Sequence, residues 1–355
     1  MKLLRPISIV ICSLMLAASA AAQVQLLPPP GSPAPASKPA KAKAKAKIIK
    51  PAAKKPAPAP APAKPQLPSS ATAPVTDDPN ADVVFGAYQR GQYKTAFDLA
   101  TARAANGDPK AMAMLGELYS GGLGIKRDYA KAAEWYKRAA DLGDREAMFA
   151  LAMLRISGRG GPVNREEGAK LLASSAKLGS PKAAYNLALL YLDGQTLPQD
   201  LKRAAELLRI SADAGNPEAQ YALATFYKEG TGVPKDIDKA VRLLQAASLA
   251  DNVDAEVEYA IALYNGTGTP KNEAAAVALL RKAAKQNSAI AQNRLARVLV
   301  TGAGAPIDKV EGLKWHIVAK TAGKGDLMLD EALAQAAPEE RASAEDAARK
   351  WLGAK

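Results

Sequence analysis

Residues 119–143 read YSGGLGIKRDYAKAAEWYKRAADLG, and within this stretch Gly122 and Gly124 precede a run of strong helix formers. A glycine-rich loop that opens a helix can present backbone N–H groups to a phosphate, so the stretch could belong to a nucleotide site. It could also be a turn between two helices, because glycine readily adopts the left-handed conformation that ends a helix. A nucleotide fingerprint occurs once, whereas the turn of a repeat recurs at a fixed period.

The stretch recurs six times at a fixed period. Six blocks of 36 residues follow one another from residue 108 to residue 323 without insertion or deletion. Every block has Ala at position 4, Gly at position 15, Asp or Asn at position 21, and Trp or Leu at position 28. The blocks begin at Asp108, Asp144, Ser180, Asn216, Asn252 and Ser288. The glycines are therefore predicted to be turns of a repeat rather than a phosphate site.

Each block has the pattern of two helices, here called helix A and helix B. Position 1 is Asp, Ser or Asn, which caps a helix, and apolar or small residues at positions 4, 8, 11 and 12 form one stripe of helix A. The Asp or Asn at position 21 caps helix B, with a full capping box predicted at Asn164–Glu167. Positions 25, 28, 29 and 32 form its apolar stripe, and Gly, Asp or Asn at position 36 ends it.

One hairpin of this size cannot bury both stripes, so neighbouring hairpins must stack. The sequence therefore predicts an all-α fold, an α-solenoid of stacked 36-residue helical hairpins. An incomplete hairpin is predicted over residues 81–107, before the six repeats at 108–323. Residues 324–355 leave the 36-residue pattern but keep helical signals, and they are predicted to form a helical cap with a polar outer face.

The pattern of conserved columns resembles the Sel1-like repeat family, which is related to tetratricopeptide repeats. The first block carries the family's residues in register: Leu115, Gly116, Tyr119, Gly122, Gly124, Asp128, Lys131, Ala132, Trp135, Tyr136, Ala139, Ala140 and Gly143. Three departures, Arg155 for Tyr, Thr196 for the second Gly and Lys320 for Ala, are expected to loosen single turns only. The resemblance implies a protein that makes protein–protein contacts. Periplasmic members of the family include regulators that hold membrane signalling partners in check.

The first 22 residues have the three regions of a secretory signal. Lys2 and Arg5 precede an apolar run at 7–18, and small residues follow at 20–22. We expect cleavage before Gln23 and a periplasmic protein; the alternative is an uncleaved N-terminus that tethers the chain to the inner membrane. The apolar run is shorter than the roughly 20 residues that span a bilayer, which favours cleavage.

Residues 23–80 are mostly Pro, Ala and Lys, a composition that predicts a disordered linker. Nine lysines and no acidic residue lie within residues 23–76, so this segment holds most of the formal net charge of +13. A basic tail without interleaved aromatic residues does not indicate nucleic-acid binding. We expect only a weak attraction to anionic polymers of the envelope.

Few residues suited to catalysis are present. The chain has one histidine, His316, expected to pack in a helix B, and one cysteine, Cys12, which lies in the signal. No cofactor or metal site is therefore predicted. Ser174 and Lys177 form a Ser-x-x-Lys motif, and some members of the Sel1-like family have been associated with β-lactam binding. An envelope hydrolase or β-lactam-binding protein that uses these two residues is thus the alternative to a non-enzymatic scaffold.

Helix A also has a second stripe, at positions 6, 10 and 13 and their neighbours, on the face opposite the core stripe. It is polar in the end repeats and apolar in the middle ones. The predicted contact residues are Phe149, Met153, Ile156, Tyr185, Asn186, Leu189, Leu192, Tyr221, Thr225, Ile261 and Tyr264. One interpretation is a concave groove for a segment of a partner protein, with the chain a monomer; the other is that tight packing buries these side chains.

Overall fold

The computed structural model describes residues 82–353, so the predicted signal (1–22) and linker (23–80) lie outside the described residues. Within that range the chain forms sixteen helices and no strand, which confirms the predicted all-α solenoid. The helices are α1 Val83–Gln89, α2 Tyr93–Ala105, α3 Pro109–Gly121, α4 Tyr129–Asp141, α5 Arg145–Ser157, α6 Arg165–Lys177, α7 Pro181–Asp193, α8 Leu201–Asp213, α9 Pro217–Glu229, α10 Ile237–Leu249, α11 Val253–Asn265, α12 Glu273–Lys285, α13 Ala289–Thr301, α14 Lys309–Thr321, α15 Leu327–Gln335 and α16 Pro338–Gly353.

Helix boundaries follow the repeat columns. In the first repeat the Asp108 carboxylate accepts hydrogen bonds from the N–H groups of Lys110 and Ala111, and Gly122 ends helix A in the left-handed conformation. Position 36 also requires positive φ, and where it is not glycine it is Asp251 (φ 61°) or Asn287 (φ 70°). Asp and Asn tolerate this conformation better than other side chains, which explains why only they replace glycine here.

The capping box predicted at Asn164–Glu167 is only half formed. The Asn164 side chain accepts from the Glu167 N–H at 3.0 Å, as predicted. The Asn164 N–H, however, donates to the Arg155 carbonyl at 2.9 Å, so it is not available to the Glu167 carboxylate. That carboxylate instead accepts from the Asn164 amide and from the Arg155 guanidinium, both at 3.1 Å.

From α1 to α13 each helix packs mainly against the preceding and the following helix, so the hairpins stack in chain order. Helix A buries positions 4 and 11 in all six repeats, and helix B buries positions 25 and 32. One core cluster runs from Ala152 in the second repeat to Phe226 in the fourth. Hydrophobic clusters therefore extend across the boundaries between hairpins and are not confined to single hairpins.

The second glycine of the loop, at position 17, contacts the neighbouring repeat as well as forming a turn. A Cβ atom on Gly160 would lie 2.2 Å from the Tyr129 carbonyl oxygen, and one on Gly232 would lie 2.4 Å from that of Leu201. The loop of one repeat thus lies directly against the start of helix B of the repeat before it. Thr196 replaces this glycine in the third repeat, where its hydroxyl is buried without a hydrogen-bond partner.

The segments on either side of the repeats extend the stack. Helices α1 and α2 pack in turn onto α3, while α15 and α16 pack onto α14. The Trp315 and Trp351 rings meet edge to face with centroids 5.1 Å apart. His316 is fully buried in helix B, as predicted, and its Nε2 lies 2.9 Å from the Asp330 carboxylate of α15. Among residues 82–353, no helix combines the length and apolarity needed to cross a membrane.

Candidate protein-binding strip

The residues predicted to contact a partner, here called the helix-A strip, lie on helices α5, α7, α9 and α11 and differ in exposure. Leu189, Thr225 and Tyr264 are buried, with 7%, 9% and 8% of their surface exposed. The other eight are half-buried: Phe149, Met153, Ile156, Tyr185, Asn186, Leu192, Tyr221 and Ile261. Three members of the strip are therefore buried by packing, and the other eight keep part of their surface accessible.

Position 13 serves packing within the hairpin. A Cβ on Gly168 would lie 2.5 Å from Ile156, and one on Gly312 would lie 2.8 Å from Val300. In these two repeats a β-branched side chain at position 13 is thus matched by glycine at position 25. Tyr264, also at position 13, donates its hydroxyl to the Ala303 carbonyl of the next repeat at 3.3 Å.

Position 6 carries an aromatic side chain in the second, third and fourth repeats. Phe149 and Tyr185 each pack one side against the core cluster and remain half-buried. Burial, together with the nearby charge of Glu218, raises the pKa of the Tyr185 hydroxyl above its usual value. An aromatic ring that is anchored on the core and has a polar end near an acidic group can contact both apolar and polar parts of a partner.

Two polar side chains of the strip form hydrogen bonds to the backbone of their own helix A. The Asn186 amide donates to the Lys182 carbonyl at 2.9 Å, and the Thr225 hydroxyl donates to the Tyr221 carbonyl at 3.2 Å. Both bonds run to the residue four positions earlier in the same helix. The Asn186 amide is therefore engaged with its own helix.

Charged groups that the strip prediction did not include continue the same face toward the C-terminal repeats. Lys228 pairs with Glu258 at 3.1 Å, and Arg297 pairs with the Asp326 carboxylate at the start of α15. Burial and the neighbouring Glu258 raise the pKa of Asp254. Positions 3, 7 and 10 of the last two repeats supply most of these groups, so a comparison of those columns between repeats could have found them.

The Ser174–Lys177 motif has no catalytic surroundings. Both side chains are exposed near the end of α6, and the Ser174 hydroxyl donates to the Lys170 carbonyl of its own helix at 3.1 Å. The adjacent Ser175 hydroxyl is buried and donates to the Arg145 carbonyl at 2.7 Å. This geometry does not support the hydrolase alternative. No group of side chains in the described part of the chain is suited to hold a metal ion.

Stacked helical hairpins of one fixed length define the chain as a repeat solenoid whose long surfaces are suited to contacts with other macromolecules. The chain belongs to the Sel1 repeat family. The family model for the Sel1 repeat matches residues 109–144, 145–180, 181–216, 217–252, 253–288 and 289–324, with the period of the six blocks and each match starting one residue after its block. No curated protein sequence matches the chain.

Solved structures agree with this assignment. A Sel1 repeat protein from Oxalobacter formigenes is 26% identical, with a TM-score of 0.59 over 67% of this chain and 98% of that one. A protective antigen of uropathogenic Escherichia coli with an SLR fold is 26% identical, with a TM-score of 0.53 over 73% of this chain and 64% of that one. Sel1 repeat proteins are in general non-catalytic scaffolds for protein–protein interaction.

Proposed function

We propose that this chain is a non-catalytic scaffold of the bacterial cell envelope that holds a segment of another protein along the helix-A strip. The observation that carries the proposal is a row of half-buried apolar side chains that crosses four consecutive repeats. Its members are Phe149, Met153, Tyr185, Tyr221 and Ile261. In the first and last repeats the corresponding positions include Glu117 and Arg297, so the apolar surface is confined to the middle of the stack.

The proposed occupant is an apolar segment, helical or extended, of an envelope or membrane signalling protein. Tyr185 and Tyr221 would act as amphipathic anchors, since aromatic side chains supply much of the energy at protein interfaces. The acidic residues Glu218 and Asp254 lie on α9 and α11, two of the helices that carry the strip. They favour a partner segment whose flanks are polar or basic. The chain would act as a monomer that regulates the partner by occupying this segment.

Residence in the envelope rests on the sequence of residues 1–22. Positive charges, a short apolar run and small residues at 20–22 support export with cleavage before Gln23. N-terminal sequencing of protein purified from its native cells tests this point. A chain that begins at Gln23 in the periplasmic fraction is expected, whereas an intact Met1 in the membrane pellet would support the tethered alternative.

Site-specific photo-crosslinking tests the strip. A photoreactive amino acid placed at Met153 or at Ile261 is expected to join a protein partner in native cells. The same group at Ala173, which is exposed on α6, serves as the control and should not form that product. Leu189 is unsuitable for this test because it is buried, so its replacement would perturb folding. Equal crosslinking at all three positions, or none at either strip position, would contradict the proposal.

A further inference from the structure

A cavity of about 180 Å³ opens between the third and fourth repeats, away from the helix-A strip. Helix α8 forms one wall, and the other comes from α9 and the loop that follows it. Its apolar surface comes from Ala205, Leu223, Tyr227, Val233 and Pro234. An apolar cavity of roughly 150 Å³ can accommodate benzene, so this space is large enough for an aromatic side chain.

The loop wall of the cavity is held in place by the repeat architecture. Gly232 adopts φ 65°, and a Cβ there would lie 2.4 Å from the Leu201 carbonyl oxygen at the start of α8. Leu223 belongs to the core cluster, against which Tyr227 and Val233 pack. The cavity is therefore preformed, and a ligand would not have to order its walls on binding.

Two cations on α8 line the cavity, Lys202 and Arg209. Both are exposed, and among the described residues neither has an acidic partner within ion-pair distance. The Glu206 carboxylate, which also lines the cavity, is paired with Arg203 at 2.7 Å. Because Glu206 is engaged with Arg203, it forms no ion pair with Lys202 or Arg209.

This arrangement differs from the equivalent position of two other repeats. The cation at the position of Arg209 is Lys137 in the first repeat and Arg281 in the fifth. Lys137 pairs with Asp141 at 2.8 Å, and Arg281 pairs with Glu311 at 2.9 Å. Arg209 thus lacks the ion pair that the cation at this position forms in the first and fifth repeats.

We propose that this cavity binds an aromatic or large aliphatic side chain of a partner protein segment that carries carboxylates on both sides of it. Lys202 and Arg209 are seven residues apart, which is about 10 Å along a helix. An extended peptide covers that distance in about three residues, so acidic residues on either side of one apolar residue can reach both cations. The apolar walls and unpaired cations both favour this ligand. The inference is independent of the helix-A strip.

Binding of a defined peptide to the full chain tests the proposal. The probe is a fluorescein-labelled peptide of sequence Ser-Asp-Glu-Phe-Asp-Glu-Ser, measured by fluorescence anisotropy. One control peptide has Ser in place of Phe, and the other has Asn and Gln in place of the acids. We expect saturable binding of the probe and binding at least about tenfold weaker for each control, because either the apolar or the ionic contact is lost.

Charge reversal locates the site. The double variant Lys202→Glu/Arg209→Glu is expected to weaken binding of the probe at least about tenfold. The control is Lys170→Glu/Lys177→Glu, which reverses two exposed cations, also seven residues apart, on the helix B of the preceding repeat. The control should bind within about twofold of the unchanged chain. Thermal unfolding of all three proteins verifies that these surface changes leave the fold intact.

Three results would overturn the proposal. The first is no binding of the probe to the unchanged chain. The second is an equal loss in both charge-reversed variants, which would indicate general attraction of acidic peptides to a basic surface. The third is equal binding of the peptide that has Ser in place of Phe, which would show that the cavity itself is not used. None of these results bears on the helix-A strip.

Discussion

At the scale of single residues, pairs of positions compensate for each other within a hairpin. Gly116 at position 9 lies against Tyr136 at position 29, and a Cβ on Gly116 would lie 2.5 Å from the tyrosine ring. In the next repeat the same two positions hold Ala152 and Leu172. The larger side chain on helix B is thus accompanied by the smaller one on helix A. The Tyr136 hydroxyl also donates to the Glu117 carboxylate at 3.0 Å.

This pairing predicts a non-additive pair of substitutions. Gly116→Ala alone should lower the free energy of unfolding by about 1–3 kcal/mol, because it overpacks the hairpin against the buried Tyr136 ring. Combined with Tyr136→Leu it should cost less than the sum of the two single changes, since the pair then matches the second repeat. Urea unfolding of the four proteins of the double-mutant cycle measures the coupling. Simple additivity would contradict the matched-pair explanation.

The position-17 glycines predict a second residue-level effect. Gly160→Ala combines a left-handed backbone with a clash against the Tyr129 carbonyl oxygen. Gly143→Ala is the control, because Gly143 is also left-handed (φ 88°) but has open space around its Cα. The control should cost about 1–2 kcal/mol of backbone strain. Gly160→Ala should cost about 1–3 kcal/mol more, measured by urea unfolding, because it also separates two repeats.

At the scale of helices, the fixed columns of the repeat suffice to predict most of the fold. Caps, turn glycines and core stripes all depend on neighbours within one hairpin, which the sequence shows directly. The exposure of the strip could not be predicted in the same way. Leu189 and Met153 occupy the same position 10, yet the first is buried and the second half-buried. The column that these two residues share does not encode this difference, and the cavity beside α8 likewise involves residues of two repeats.

The carboxylate of Asp326 joins the start of helix α15 to α13, a contact that the repeat pattern did not indicate. The Asp326 side chain accepts from the N–H groups of Met328 and Leu329, from the Asn293 amide and from Arg297. Burial by itself would raise the pKa of Asp326. The hydrogen bond and charge of Arg297, with the other donors, outweigh it and lower this pKa below its ordinary value. The bonds therefore stabilise the cap only while Asp326 is charged.

This carboxylate predicts a pH dependence of cap stability. Because its folded pKa is lowered, its contribution is complete above the unfolded value of about 4 and is lost as the pH falls through the folded pKa. Asp326→Asn keeps a good N-cap but removes the charge, so it should cost about 1.5–3 kcal/mol at pH 7. The difference should be smaller at about pH 3, where the unfolded carboxyl is mostly protonated, than at pH 7. Urea unfolding followed by tryptophan fluorescence reports it, since Trp315 and Trp351 lie in this region. A difference that is equal at both pH values would contradict the charge explanation.

At the scale of the whole stack, each hairpin is stabilised, beyond its own internal contacts, only by its contacts with the neighbouring hairpins. Extensive helix contacts within residues 82–353 join members of the same hairpin or of adjacent ones. A central repeat therefore has two stabilising interfaces. Helices α1 and α2 have one within the described range. Such an array opens from its ends and does not unfold as a single unit.

Hydrogen exchange measured by mass spectrometry tests this arrangement. Amides of α7–α9 should be the most protected and those of α1–α2 among the least, because the central repeats must lose two interfaces before they open. Leu208 and Leu329 are both fully buried, the first in the centre and the second in α15. Leu208→Ala should cost about 2–5 kcal/mol and speed exchange in the repeats on both sides of it. Leu329→Ala should speed exchange in α14–α16 and leave exchange in α3–α8 unchanged. The cap helices have extensive contacts only with the nearest repeat, so the loss of stability should not extend further. Faster exchange along the entire stack in the Leu329→Ala protein would instead show that the solenoid unfolds as one cooperative unit.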